Sequence, residues 1–153
     1  LSRNPKLLLA DEPTTALDVT IQAQILELLK ELREKYNTSI LVITHDFGIV
    51  AEIADRVGVM YAGKMVEVGD VYKIFENPSH PYTKLLMKAL PRITKNQGRL
   101  ETIPGNVPNL AKPPTGCRFH PRCPFAIDVC SKSQPEFIEI EEGHLCACHR
   151  GEF

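Results

Sequence analysis

The sequence has no excess of charge of either sign, no long apolar run and no phosphate-binding loop. Its 153 residues carry 18 basic and 19 acidic side chains, for a net charge of −1, which argues against a general surface for nucleic acid or anionic lipid. No apolar run approaches the about 18 residues that span a bilayer, and nothing at the start resembles a signal peptide. The motif G-x-x-x-x-G-K-[ST] is absent, since Gly63-Lys64 is followed by Met65. The backbone cradle that this motif builds around phosphates is therefore missing.

Cysteine is absent from most of the chain, and proline is scarce in its first half. All five cysteines lie in the last 37 residues, and ten of the 12 prolines lie from Pro78 onward. The first half has the pattern of regular α/β structure, whereas the second half is loop-rich. We therefore predict two parts, residues 1–77 and 78–153, with a boundary near Asn77-Pro78.

Two short apolar runs predict neighbouring strands of a parallel sheet. Leu7-Leu8-Leu9-Ala10 is apolar throughout, and the run at residues 39–43 is apolar after Ser39 and rich in β-branched residues, as expected for strands covered on both faces. Between them, apolar residues at helical spacing predict a helix over residues 20–36, which Asp18 can cap. Strand, helix and strand form a βαβ unit, and its crossover should be right-handed.

Polar residues follow both predicted strands. Asp11-Glu12 comes directly after the first strand, and Thr44-His45-Asp46 follows the second. Because parallel strands end at the same edge of a sheet, where ligands usually bind, Asp11, Glu12 and His45 are expected to converge. One carboxylate can hold Mg²⁺, usually through its waters, and the adjacent one can orient or deprotonate an attacking water.

Further elements are predicted along the rest of the chain. Two strands flanking the turn signature Ala62-Gly63 predict an antiparallel hairpin, and proline at residue 81 is typical of a helix start. The predicted elements are a helix over residues 47–54, strands over 57–61 and 64–68, a short helix over 70–75, a helix from Ser79-His80-Pro81 to Ala89, and an extended connector over 92–116.

The first half resembles ABC transporter ATPases. The run LLLADEPTTALD, residues 7–18, resembles their Walker B and D-loop segment, VITHD at 42–46 resembles their switch or H-loop, and ADRVGVMYAGK at 54–64 is also similar. The resemblance implies an α/β fold, the distal half of a P-loop ABC ATPase domain, with parallel strands, helices and a β-hairpin.

The same resemblance assigns roles by position. It implies that Asp11 serves Mg²⁺ and ATP, that Glu12 positions the hydrolytic water, and that His45 contacts the γ-phosphate. Asp18 would end the D-loop, which communicates across the ATPase dimer. A plain helix cap is the alternative for Asp18, and the two roles are compatible.

Two motifs of that family do not occur in this sequence. Besides the phosphate-binding loop, the LSGGQ-type signature is absent, and the opening Leu1-Ser2-Arg3-Asn4-Pro5-Lys6 resembles the segment shortly downstream of it. We therefore expect this chain to be the C-terminal part of a longer protein and to be inactive as an ATPase by itself.

The five cysteines are spaced Cys117-x5-Cys123-x6-Cys130-x15-Cys146-x-Cys148. Because an ATPase motor faces the reducing cytosol, a disulfide framework is not expected. A zinc site is an alternative, although gaps of five and six residues differ from the usual short C-x2-4-C spacing. Scattered free thiols are the third interpretation.

The second half resembles the C-terminal extension of oligopeptide/dipeptide ABC transporter ATPases. The similar segments are NPSHPYT at residues 77–83, IPGNVP at 103–108 and GCRFHPRCPFA at 116–126. The resemblance implies a small loop-rich extension that can hold a [4Fe–4S] cluster, and Cys123-Pro124 resembles the Cys-Pro step of ferredoxin sites.

Four cysteines match the cluster ligands of that family by position: Cys117, Cys123, Cys130 and Cys148. Cys146 departs from the family pattern, which usually has an aliphatic residue there, so the choice between Cys146 and Cys148 as fourth ligand stays open. If the metal is zinc instead, His144 and His149 are close enough in sequence to compete as ligands.

The resemblance implies an ATP-hydrolysing motor subunit of an oligopeptide/dipeptide importer. Its expected partners are a second ATPase subunit, identical or paralogous, transmembrane permease subunits, and a peptide substrate bound by other subunits, with no nucleic acid. The subunit would be peripheral, at the cytoplasmic face of the plasma membrane. The alternatives are an ATPase of DNA repair or chromosome maintenance, which predicts coiled-coil heptads or a basic face, and a stand-alone metal or Fe–S module.

Overall fold

The computed structural model describes residues 5–90 and 102–151. The chain divides into two compact units, Leu1–Ala54 and Asp55–Phe153, and each is described by itself. The fold is mixed α/β, as the sequence predicts. None of the helices in these described ranges is both long and apolar enough to cross a bilayer.

The first unit is the predicted βαβ unit with one further helix. Its elements are β1 (Leu7–Asp11), α1 (Val19–Tyr36), β2 (Ser39–Ile43) and α2 (Phe47–Ile53). Strands β1 and β2 are parallel, with Leu7 opposite Ser39 and Asp11 opposite Ile43. Asp18 caps α1, because its side chain accepts the N–H of Ile21 at 2.9 Å, and the helix ends at Asn37 in the left-handed conformation.

One prediction about these strands was wrong. Alternate residues along β1 and β2 are exposed: Leu7 is 54 % exposed, Leu9 65 %, Leu41 51 % and Ile43 52 %. In the described part of the chain, the strand pair is thus covered on one face only. An apolar run indicates what each position prefers, but not whether the chain itself supplies both covering layers.

The second unit starts with the predicted hairpin and helices. Strands β3 (Arg56–Tyr61) and β4 (Lys64–Asp70) flank a turn in which Ala62 and Gly63 have φ of 48° and 75°, as a two-residue turn of type I′ requires. Helix α3 (Val71–Glu76) is capped by Asp70, and α4 (Pro81–Ala89) is capped by the His80 side chain. All of these elements confirm the sequence-based predictions.

Two strands near the C-terminus complete a sheet that the sequence did not predict. Strands β5 (Ile138–Glu141) and β6 (His144–Cys146) form a hairpin, and the sheet order is β3-β4-β6-β5. Glu67 of β4 lies opposite Cys146 of β6. This pairing joins residues on both sides of the boundary predicted near residues 77–78, and both strands lie within the compact unit Asp55–Phe153.

The rest of the second unit packs around an aromatic cluster. The rings of Tyr61, Tyr82 and Phe119 lie with centroids 4.7–5.4 Å apart. A 3₁₀ turn (His120–Arg122) and α5 (Asp128–Lys132) follow. Residues 102–116 contain neither helix nor strand, as predicted for that part of the connector, and Arg122 holds their start through the carbonyls of Ile103 and Pro104. The remaining connector positions, up to residue 101, lie outside the described residues.

Candidate functional site

The structure brings Glu12 and His45 into direct contact at the ends of β1 and β2. Nδ1 of His45 lies 2.8 Å from Oε1 of Glu12. On the other side of the carboxylate, the Thr15 hydroxyl donates to Oε2 at 2.7 Å. The predicted convergence of the two strand ends is therefore confirmed for Glu12 and His45.

The backbone of Glu12 is unusual. Its φ of 48° lies in the left-handed region, where a residue other than glycine is uncommon and strained. The chain holds it there by continuing the sheet, because the N–H of Glu12 donates to the carbonyl of Ile43 at 2.8 Å. The strained conformation lies directly at the predicted catalytic carboxylate.

Hydrogen bonding favours the charged form of both side chains. The Thr15 hydroxyl and then His45 lower the pKa of Glu12, and the same contact with Glu12 raises the pKa of His45. The side chains are 37 % and 82 % exposed, so solvent screens the attraction between them. The pair therefore provides orientation more than stability.

The arrangement can hold a water and contact an anion. The oxygens of Glu12 have lone pairs beyond those used by Thr15 and His45, so the carboxylate can accept a proton from a water. His45 contacts Glu12 through Nδ1, which makes Nε2 the ring nitrogen that can contact a bound group. Sequence reasoning missed Thr15, although a hydroxyl three residues after Glu12, in a turn, was a usable signal.

Asp11 and Asp18 occupy the positions that the sequence predicts. Asp11 is the exposed last residue of β1, next to Glu12. Asp18 is the cap of α1, so the structural interpretation of Asp18 is confirmed. The roles of Asp11 toward Mg²⁺ and of Asp18 across a dimer stay predictions.

In the second unit, several cysteine sulfurs accept backbone N–H groups. Burial raises the pKa of Cys117, Cys123 and Cys148, while the backbone N–H groups that point at each sulfur lower it. These three thiols and Cys130 also lie near enough for the charge of one to raise the pKa of another. The four thiols therefore lie near one another, and backbone N–H groups stabilise the thiolate form of three of them.

The side chains do not form a closed ligand set. In residues 5–90 and 102–151, no group of three or more His, Cys, Asp or Glu side chains is arranged so that it could hold a metal ion. The cysteines of the described ranges are free thiols. The cluster ligands predicted from the family resemblance therefore stay a prediction.

Cys146, His144 and His149 lie next to carboxylate or carbonyl oxygens. Cys146 is 1 % exposed, and burial followed by the Glu67 charge raises its pKa to about 12. Both ring nitrogens of the buried His144 face carboxylates, Glu67 at 2.8 Å and Glu141 at 3.1 Å. His149 lies 2.8 Å from the carbonyl of Ser133. Both histidines thus have protein partners at a ring nitrogen.

Comparison with known proteins supports the resemblance found in the sequence. Residues 66–130 match the family model "Oligopeptide/dipeptide transporter, C-terminal region". The chain is 54 % identical over 151 residues to the probable peptide ABC transporter ATP-binding protein y4tR of Sinorhizobium fredii, covering 98 % of this chain and 45 % of the relative.

Two further relatives have related names. The dipeptide transport ATP-binding protein DppD of Escherichia coli is 52 % identical over 145 residues, which cover 95 % of this chain and 44 % of DppD. The oligopeptide transport ATP-binding protein AppD of Bacillus subtilis is 55 % identical over 148 residues, which cover 97 % of this chain and 45 % of AppD. The chain thus spans less than half the length of the curated relatives it matches. Over nearly all of its own length, it is similar to ATP-binding subunits of oligopeptide and dipeptide ABC transporters.

Proposed function

We propose that this chain is the C-terminal part of an ATP-hydrolysing subunit of an oligopeptide/dipeptide ABC importer, and that Glu12 and His45 carry its chemistry. The observation behind the proposal is the 2.8 Å contact between Glu12 Oε1 and His45 Nδ1 at adjacent ends of parallel strands. Charge and hydrogen-bond capacity suited to water activation and to phosphate contact meet there.

Each residue has a distinct task in this proposal. Glu12 accepts a hydrogen bond from the attacking water and orients it, while His45, held through Nδ1, contacts the γ-phosphate through Nε2. Asp11, one residue before Glu12, holds Mg²⁺ through its waters. Mg²⁺–ATP, when bound, supplies the phosphoryl group that the water attacks. Asp18, at the start of α1, would face the second ATPase subunit in the dimer.

The importer assignment rests on the second half of the chain. Its match over residues 66–130 is to the transporter C-terminal region, which favours peptide import over DNA repair, chromosome maintenance or a stand-alone metal module. The proposed partners are a second ATPase subunit, membrane permease subunits and a peptide held by other subunits, at the cytoplasmic face of the plasma membrane. We also retain residues 78–153 as the proposed transporter-specific extension.

Glu12→Gln in the full-length ATP-binding subunit tests the catalytic assignment. We expect turnover to fall by about 10²–10⁴-fold, the usual cost of losing a general base, while nucleotide binding persists. Glu31→Gln, on the exposed surface of α1, is the matched control and should retain the wild-type rate. Steady-state phosphate release by Glu12→Gln within a few-fold of the control would refute the assignment.

We further propose that Cys117, Cys123, Cys130 and Cys148 hold one [4Fe–4S] cluster, with zinc as the alternative metal. Thiolates are the ligands of both metals. Backbone N–H groups of Phe119 and His120 point at Cys117, and those of Arg150 and Gly151 point at Cys148. Such groups favour the thiolate form that ligation requires.

Anaerobic isolation tests the metal and its ligands. The [4Fe–4S] proposal predicts a brown protein with iron and sulfide in equal amounts. Cys146→Ser, the matched control, should keep the colour, and Cys148→Ser should lose it. Zinc without sulfide in anaerobic protein would select the alternative metal, whereas colour retained in Cys148→Ser would remove that residue from the ligand set.

A further inference from the structure

The Glu12 carboxylate has a second fixed partner beside His45, the hydroxyl of Thr15. Thr15 Oγ1 donates to Oε2 at 2.7 Å, while His45 Nδ1 lies 2.8 Å from Oε1. Each carboxylate oxygen thus has its own partner. With one contact the carboxylate could still rotate about its last side-chain bond, but two contacts on different oxygens fix the plane of the group.

The turn after β1 places this hydroxyl. The Thr15 N–H donates to the Glu12 carbonyl at 3.2 Å, and the Leu17 N–H donates to the Thr14 carbonyl at 3.2 Å. Thr14 is buried, with 7 % exposure, and anchors the turn. Because threonine is β-branched, its χ1 angle is restricted. The turn and the restricted χ1 together hold Oγ1 beside Oε2 of Glu12.

We propose that Thr15 is a positioning residue for ATP hydrolysis: its hydroxyl fixes the plane of the Glu12 carboxylate so that the remaining lone pairs face the attacking water. The inference rests on the proposed function of Glu12. It adds a residue that acts through Oε2, the carboxylate oxygen that His45 does not contact.

The expected kinetic effect is on turnover and not on nucleotide affinity. Losing one hydrogen bond of ordinary net strength corresponds to about a 2- to 10-fold change. Thr15→Val removes the hydroxyl and keeps the branched shape, so kcat should fall by that factor with KM for ATP unchanged. Thr15→Ser retains the hydroxyl and should restore at least half of the lost rate.

The test has two arms and one control. Thr20→Val makes the same change at an exposed position in the first turn of α1 and should behave as wild type. In the first arm, ¹³C spectra of glutamate-labelled chain at pH 7 follow the Glu12 Cδ resonance, which the spectrum of Glu12→Gln assigns. In the second arm, single-turnover ATP hydrolysis is measured in the full-length subunit.

We expect Thr15→Val to shift the Glu12 Cδ resonance and to slow single-turnover hydrolysis, and Thr15→Ser to leave the resonance in place and to restore at least half of the lost rate. An unshifted resonance or a wild-type hydrolysis rate in Thr15→Val would overturn the inference while Glu12→Gln stays inactive. If Glu12→Gln itself hydrolyses ATP at the wild-type rate, the proposed function fails, and the positioning role fails with it. Thr15→Ala, which also lacks the hydroxyl, repeats both arms if Thr15→Val does not fold.

Discussion

Glu67→Gln tests the buried carboxylate that joins three elements of the second unit. Glu67 is 0 % exposed. Its Oε1 accepts the N–H of Ser79 at 2.6 Å and lies 2.8 Å from His144 Nε2, and its Oε2 accepts the N–H of His80 at 3.0 Å. These contacts connect β4 to β6 and to the start of α4. Glutamine keeps the shape but offers one oxygen and an NH₂ group to three donors.

The structure sets the size of the effect. Leaving a buried donor or acceptor unsatisfied costs about 1–3 kcal/mol, and the exchange disturbs the three contacts of Glu67 together. In Glu67→Gln the NH₂ group must also face a donor, whichever way the amide is oriented. We expect the free energy of unfolding to fall by about 3–5 kcal/mol, a large part of the about 5–15 kcal/mol typical of a whole domain.

Urea unfolding at pH 7 measures this loss, with near-UV circular dichroism of the packed tyrosines Tyr61 and Tyr82 as the signal. Hydrogen exchange of the Ala147 amide, which donates to Val66 at 2.9 Å, reports β6 locally. Glu141→Gln is the matched control, since Glu141 contacts His144 from the half-exposed side, and it should cost much less. A loss in Glu67→Gln no larger than in Glu141→Gln would refute the reasoning.

Two further predictions concern the second unit. Burial lowers the pKa of His80 from its ordinary 6.5 to about 4. Between these pH values the unfolded chain binds a proton that the folded chain excludes. The free energy of unfolding should therefore fall by about 3 kcal/mol as the pH drops from 6.5 to 4. His80→Asn, which can still cap α4, should remove this loss in unfolding curves at the two pH values. Gly116→Ala should destabilise more than Gly143→Ala in thermal unfolding. Both glycines have positive φ. At Gly116 an added Cβ would lie 2.4 Å from the Cys130 carbonyl oxygen, whereas at Gly143 it would meet nothing within 4 Å. Equal losses of thermal stability in the two variants would contradict the steric argument.

The elements that the sequence predicted correctly are those with local causes. Asp18 caps α1 through an N–H three residues away, and Ala62-Gly63 forms its turn from two adjacent residues with positive φ. Pro81 starts α4 because its ring fixes φ and its missing N–H is not needed there. In each case the deciding interaction lies within a few residues, so the pattern is visible in the sequence.

The structure that the sequence did not predict depends on distant partners. Strand β6 has only three residues and contains a histidine, so it has no apolar alternation to recognise. It is defined by pairing with β4, about 80 positions earlier, and by the contact between His144 and Glu67. A glutamate in a hairpin strand is ordinarily predicted to be exposed, and nothing local indicates that Glu67 is fully buried.

The surroundings of Glu67 and β6 also distinguish the two candidates for the fourth metal ligand, Cys146 and Cys148. On an extended chain, residues two apart point to the same side, but β6 ends at Cys146, and the surroundings of Cys146 and Cys148 differ. Cys146 is buried at the end of β6, where the nearby Glu67 charge opposes a thiolate and raises its pKa. At Cys148, burial also raises the pKa, but the N–H groups of Arg150 and Gly151 and the Arg150 charge lower it. A ligand must lose its proton to bind metal, so these surroundings favour Cys148, and they predict that Glu67→Gln makes the Cys146 thiol more acidic without changing the choice of ligand.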